Sequence, residues 1–268
     1  MLPGFGKIEM RSGARPENDL VLSFLAVRQA VGILGLSLPI VLLIYAHLFG
    51  GGMQPSISEF YYSAMGDVFV GILCAIGVFL IAYKGYRKRP EDPMLGDREA
   101  SIVAGISVIA VALFPVPAKP EYALCLIDGI VLRCAEVLVD AEIITGFSGH
   151  SRWLHFAPAG SFFLSLAWFC FKLFPKGGSH SNRQFMGVLV EHLIYYICGV
   201  LILISVAGLV AYELVSPETR DALTAQNYIF WWETLGVYAF SISWLTKGRF
   251  LSRPFGLHRR QAQSSLMS

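Results

Sequence analysis

The sequence has few charged residues, and this scarcity excludes several common protein classes. Only 15% of its 268 residues are Asp, Glu, Lys or Arg, whereas 55% are hydrophobic. Soluble domains average about 25% charged residues, so the composition argues against a soluble protein and indicates an integral membrane protein. The net charge of +2 is small, and the basic residues lie at segment ends, so we expect no nucleic-acid partner.

Several functional motifs are also missing. There are five cysteines but no C-x-x-C pair. The first 25 residues contain Lys7, Arg11 and Arg15 and no apolar core, so we expect no secretory signal peptide. No lipidation box and no internal repeat is present, and the missing repeat argues against an inverted-repeat transporter. Membrane insertion must therefore come from the helices themselves.

The chain does contain long apolar stretches. A membrane helix needs about 20 apolar residues, and continuous apolar runs indicate helices rather than barrel strands. Six stretches qualify: Ala30–Phe49, Met65–Tyr83, Ala100–Pro115, Trp153–Phe174, Val190–Leu214 and Tyr228–Leu245. The predicted fold is therefore all-α, a polytopic protein with six transmembrane helices in a single bundle over residues 30–246.

The connecting segments predict the orientation of these helices. Lys and Arg collect in residues 83–99, 172–184 and 247–260, whereas residues 50–67 contain neither. Because excess Lys and Arg mark the cytoplasmic side, we expect both termini to be cytoplasmic. The predicted location is a plasma membrane, specifically a bacterial inner membrane.

The two terminal segments lie outside the predicted bundle. Residues 1–29 form a cytoplasmic segment, in which apolar spacing over Glu17–Gln29 predicts an amphipathic extension of the first helix. Residues 247–268 form a basic cytoplasmic tail.

A long outer loop, residues 116–152, separates the third and fourth helices. Asp128–Gly129 between apolar runs predicts a β-hairpin, and a short amphipathic surface helix is the alternative. A two-residue turn there pairs Cys125 with Leu132 rather than with Cys134. A disulfide between Cys125 and Cys134 would therefore need an irregular register, and the question stays open.

Polar side chains gather at the outer mouths of three predicted helices, although such residues are costly at membrane depth. Ser56 lies there together with seven candidate site residues: Ser58, Glu59, Asp67, His150, His155, Trp232 and Glu233. Six of them, all except His150, are predicted to line an outward-facing polar pocket that binds a lipid headgroup.

The same residues allow other chemistry. His155 as a general base, with Glu233 or Asp67 as acid, would make a lipid hydrolase. His150, His155 and Asp67 are candidate zinc ligands, but they do not share a helix face, and we expect no cofactor. A small-solute transporter is the third possibility. Whether the protein is an enzyme stays open at this point.

Three short motifs resemble one family. "PSISEF" before the second helix, "HFAPAGSFF" in the fourth and "WWETLGVYAFSISW" in the last resemble, in the same order, motifs of the DRAM, Frag and Sfk group of six-helix membrane proteins and related bacterial families. The likeness departs from that pattern at "EFYYSAMGD" and at the third loop.

The resemblance implies a role in membrane lipid handling, such as lipid remodelling or phospholipid asymmetry, without a settled catalytic mechanism. It directs attention to Ser58, Glu59, His155 and Glu233. The preferred prediction is a multi-pass protein that binds or organises membrane lipid, with a protein partner or a second copy of the chain as a further possible contact.

Overall fold

The computed structural model of the protein describes residues 16–85, 95–116, 124–127, 130–133, 151–177 and 185–249. Its helices are α1 (Pro16–Leu48), α2 (Gly66–Ala82), α3 (Asp97–Leu113), α4 (Ser151–Trp168), α5 (Phe185–Leu214), α6 (Pro217–Ala225) and α7 (Tyr228–Lys247). After α4 the chain continues as a π turn, Phe169–Leu173, and a 3₁₀ turn, Phe174–Gly177. A further 3₁₀ helix, Ser58–Tyr62, is called the loop helix below.

Six of these helices form a closed ring. Along the chain, α1 packs against α2, α2 against α3, α3 against α4 and α4 against α5. Helix α5 packs against α7, and α7 packs against α1, which closes the ring. Large side chains such as Leu42, Phe69, Leu166 and Phe240 are almost fully buried within the ring. Six helices therefore surround one core, and the prediction that all six cross a membrane stays a prediction.

Hydrogen bonds show that neighbouring helices run in opposite directions. Gln29, in the first half of α1, donates to the Gly248 carbonyl after α7, at 2.8 Å. His155 in the first turns of α4 lies 2.7 Å from the carbonyl oxygen of Phe114, just after α3. Short connections between sequential elements favour this up-and-down arrangement. The ring thus has two ends, called here the Glu233 end and the Trp244 end.

Aromatic rings close the Trp244 end. The ring centroids of Tyr83 and Phe169 each lie 5.4 Å from that of Trp244, and the ring centroid of Phe174 lies 5.5 Å from it. Buried Arg28 donates to the Tyr83 hydroxyl at 2.7 Å. This packing keeps the core separate from the surface at that end.

Two glycines let α2 and α3 cross closely. A Cβ added at Gly105 would lie 2.7 Å from the Gly77 carbonyl oxygen, and one added at Gly77 would lie 2.9 Å from the Gly105 carbonyl oxygen. Small residues at helix contacts are typical of membrane bundles, since packing rather than hydrophobicity drives helix association there.

The outside of the ring is apolar. Ile40, Val78, Ile106, Leu164 and Leu203 are among the large hydrophobic side chains with more than 40% of their surface exposed. Three helical segments, Leu25–Leu48, Trp153–Lys176 and Val188–Leu214, are long and apolar enough to cross a membrane, and Gly66–Ala82 is a shorter apolar helix. The helical architecture and its compatibility with a membrane are therefore shown.

The third loop contains the predicted hairpin. Strands β1 (Leu124–Ile127) and β2 (Ile130–Arg133) pair antiparallel, with Cys125 opposite Leu132. The hairpin and its register are confirmed, and the helix alternative is wrong for these residues. Cys134 and the possible disulfide lie outside the described residues.

Two short helices lie in the segments that connect the long helices. The loop helix lies between α1 and α2, and α6 lies between α5 and α7. The start of α6 has a recognisable signal, because the Ser216 hydroxyl accepts from the Thr219 N–H and Pro217 occupies the first position. The predicted extension of the first helix is present as the first part of α1, which begins at Pro16.

Candidate functional site

The loop helix is held against the start of α7 by three hydrogen bonds. The Phe230 N–H donates to the Pro55 carbonyl at 2.8 Å. The Ile57 N–H donates to Glu233 Oε2 at 2.6 Å, and the Ser58 hydroxyl approaches Glu233 Oε1 at 3.4 Å. Because free N–H groups at a helix start need acceptors, Glu233 acts as a cap from another helix. This explains in part why "PSISEF" is polar.

Other polar groups stabilise the loop helix locally. The Ser56 hydroxyl accepts from the Glu59 N–H at 3.0 Å, as expected for a serine three residues before a glutamate. Burial raises the pKa of Tyr62 to about 12, with Tyr61 and Glu59 adding to the effect. The Tyr62 hydroxyl therefore stays protonated and donates to the Val116 carbonyl at 2.6 Å.

A cavity of about 70 Å³ lies inside the ring and ends at Glu233. Its lining includes side chains from five helices and from the loop helix region: Gly35, Leu38, Ile57, Ser58, Phe69, Leu73, Ile76, Val108, Val111, Ala159, Phe162, Phe163, Glu233, Val237 and Phe240. Ser58 and Glu233 are the polar side chains in this set. The lining from Glu233 to Phe240 follows α7 for about 10 Å at 1.5 Å per residue.

The cavity differs from the predicted polar pocket, because its walls are apolar and only one end is polar. The hydroxyl of Ser56 and the backbone groups of residues 57–59 are used within the loop helix and its contact with α7. Polar residues that look like a pocket wall in the sequence thus serve mainly to fold and dock this segment.

Only part of the predicted site residues meet at the cavity. Ser58 and Glu233 line it, whereas Asp67 is exposed in the first turn of α2. Trp232 packs elsewhere, since a Cβ at Gly208 of α5 would lie 2.4 Å from its ring. Glu59 is buried in the loop helix, 8% exposed, close enough to Glu233 for electrostatic interaction.

His155 is buried but bonded elsewhere. It is 2% exposed, and its Nδ1 donates to the Phe114 carbonyl at 2.7 Å. Its ring packs edge-on against Phe156 at 5.5 Å. The structure therefore uses His155 to join the start of α4 to the end of α3. The acid–base pair of His155 with Glu233 or Asp67 is not assembled in this arrangement.

Metal ligands do not converge in the part of the chain that the structure describes. Within those residues, no group of three or more His, Cys, Asp or Glu side chains is placed to hold a metal ion. Asp67 and His155 lie in different surroundings, as described above, and His150 lies outside the described residues.

The apolar lining of the cavity was missed in the sequence. Gly35 is the clearest available signal, because a Cβ there would lie 2.6 Å from Ser241 Oγ and 2.9 Å from the Phe240 ring. Together with Gly32, which meets Leu245 in the same way, it marks a close contact between α1 and α7. The apolar lining residues of α2, α3, α4 and the loop helix region carry no such mark.

No protein-family model matches the chain, and no curated protein or solved structure shows significant similarity to it. The resemblance to the DRAM, Frag and Sfk group therefore stays a prediction that rests on the three motifs alone.

Proposed function

We propose that the protein is a multi-pass membrane protein that binds or organises a membrane lipid through the central cavity. The observation that carries the proposal is an apolar cavity inside the helix ring with a carboxylate at one end. Ligand pockets are typically concave, mainly apolar and equipped with a few polar groups that fix orientation. An amphiphile, with an alkyl chain and a polar head, has the matching chemistry.

The size of the cavity indicates which part of a lipid it holds. An engineered apolar cavity of roughly 150 Å³ binds benzene, and this cavity has about half that volume. We therefore propose that it accepts a segment of one alkyl chain next to the polar head. The remainder of the lipid lies outside the cavity, in the bilayer.

The membrane arrangement is part of the same proposal. All six ring helices cross the membrane, with the Glu233 end outside and both termini in the cytoplasm. The supporting observations are the alternating helix directions and the concentration of Lys and Arg in residues 83–99 and 247–260. A bacterial inner membrane is the proposed location.

Photocrosslinking tests lipid binding in the cavity. A phospholipid carrying a photoreactive diazirine near its headgroup is incorporated into membranes with the purified protein and irradiated. We expect labelled peptides that contain cavity residues such as Leu38 and Phe162. We also expect labelled peptides from the exposed apolar outer surface of the ring, which we call the belt. Substitution Val237→Trp, which fills the cavity, should remove the first group and leave the second. Labelling of the belt alone in the unaltered protein would contradict the proposal.

A further inference from the structure

The carboxylate at the end of the cavity has more acceptor capacity than its structural contacts use. Glu233 is mostly buried and lines the cavity. Oε2 accepts a short bond of 2.6 Å from the Ile57 N–H, whereas Oε1 meets the Ser58 hydroxyl only at 3.4 Å. The backbone N–H of Ser58 also interacts with the carboxylate. A carboxylate has about four lone-pair positions. Three contacts therefore leave acceptor capacity for a ligand, and the long contact with the Ser58 hydroxyl makes Oε1 the oxygen that a ligand reaches at least cost.

The described surroundings of Glu233 contain no positive charge. In the part of the chain that the structure describes, Glu233 interacts with Ile57, Ser58 and Glu59, and none of these is a cation. Glu59 adds a second acidic group nearby. An ionised carboxylate away from water is costly unless an opposite charge or several hydrogen bonds accompany it. The polar end of the cavity thus favours a positive partner.

Docking of the loop helix does not by itself require this charge. A glutamine amide oxygen also accepts a backbone N–H, through a weaker bond but without the cost of burying an anion. Polar and ionisable groups at membrane depth are expensive and usually have a functional partner. A carboxyl group rather than an amide at this position is therefore better explained by a ligand than by the cap.

We infer that the ligand's head carries an ammonium group, or an equivalent alkyl cation, which binds Glu233 Oε1 while the adjoining alkyl chain occupies the cavity. This inference rests on the proposed function and specifies its ligand class. The ammonium replaces the long contact from Ser58 and leaves the Ile57 bond in place. Leu38, Leu73 and Val237 contact the chain, so both halves of an alkylammonium have a complementary surface.

Three small-molecule probes that share a six-carbon alkyl chain and differ in their polar head test the inference. Hexylammonium, hexanol and hexanoate are each titrated against the full-length protein in detergent at neutral pH, with binding read from thermal stabilisation. We expect hexylammonium to bind at least tenfold more tightly than hexanol, and hexanoate to bind most weakly. High salt should weaken the binding of hexylammonium less than it weakens an exposed ion pair, because the site is buried.

Variants of the protein separate the contribution of the ligand's head to binding from that of its alkyl chain. Glu233→Gln, which keeps an acceptor for Ile57, should reduce the affinity of hexylammonium to that of hexanol and should change the affinity of hexanol much less than that of hexylammonium. Glu218→Gln removes the same charge from the exposed first turn of α6 and should change neither. Val237→Trp should weaken all three probes.

The outcomes distinguish this inference from the proposed function. If hexanol and hexylammonium bind equally well and Val237→Trp weakens both, the cavity still binds an alkyl chain, but the preference for a cation is wrong. If Glu233→Gln leaves the preference for hexylammonium intact, Glu233 is not its partner and the inference fails. If no probe binds, or if Val237→Trp has no effect on binding, the lipid site itself is contradicted.

Discussion

Replacing Glu233 with alanine should free the loop helix from α7, and the size of the effect follows from the contacts. The substitution removes the acceptor of the 2.6 Å bond from the buried Ile57 N–H. An unsatisfied buried group costs about 1–3 kcal/mol, and the 3.4 Å contact with Ser58 adds little. We therefore expect opening of the segment to become easier by about 2 kcal/mol, or roughly 30-fold in its equilibrium constant.

Amide hydrogen exchange measures this opening directly. Peptides covering residues 55–62 should exchange roughly 30-fold faster in Glu233→Ala, because exchange of a locally opened segment follows its opening equilibrium. Glu233→Gln keeps a neutral acceptor and loses about 1 kcal/mol, so a rise of roughly fivefold is expected.

Two internal controls make the exchange measurement specific. Peptides of α2 should keep their rates in both variants, and Glu218→Gln should leave residues 55–62 unchanged. If Glu233→Ala exchanges at the rate of the unaltered protein over residues 55–62, Glu233 does not hold the loop helix and the docking explanation is refuted.

Two other contacts give predictions that thermal unfolding in detergent can check. Gly105→Val should destabilise the protein by about 1–3 kcal/mol through overpacking against Gly77, whereas Gly71→Ala, with no atom within 4 Å of its added Cβ, should be neutral or slightly stabilising. Equal melting temperatures for these two variants would disprove the close α2–α3 crossing. His155→Phe should cost about 1 kcal/mol or more, because the Phe114 carbonyl loses its 2.7 Å donor; an unchanged melting temperature would show that this bond does not stabilise the ring.

The long helices were predictable because their signal is continuous. The stretch Met65–Tyr83 became α2, Gly66–Ala82, and Tyr228–Leu245 became α7, Tyr228–Lys247. The Asp128–Gly129 pair likewise predicted the strand register, since a two-residue turn leaves one pairing. Length, apolarity and turn chemistry are local properties, and the sequence displays them directly.

The site was less predictable because it depends on the direction in which each side chain points. The sequence shows that Asp67, His155 and Glu233 lie near the same end of three helices, but not that their side chains face different neighbours. Asp67 is exposed, His155 bonds to the end of α3, and Glu233 alone of the three reaches the cavity. Helix rotation within a ring is set by packing, such as that at Gly35, and apolar runs on all sides conceal it.

Native mass spectrometry of the protein released from its own membrane tests the central claim most directly. We expect one lipid per chain to remain bound to the unaltered protein and to Gly71→Ala. The same lipid should be lost from Val237→Trp, which fills the cavity, and should be retained less well by Glu233→Gln. A lipid that remains on Val237→Trp to the same extent as on the unaltered protein, or a chain that carries no lipid at all, would contradict binding in the cavity.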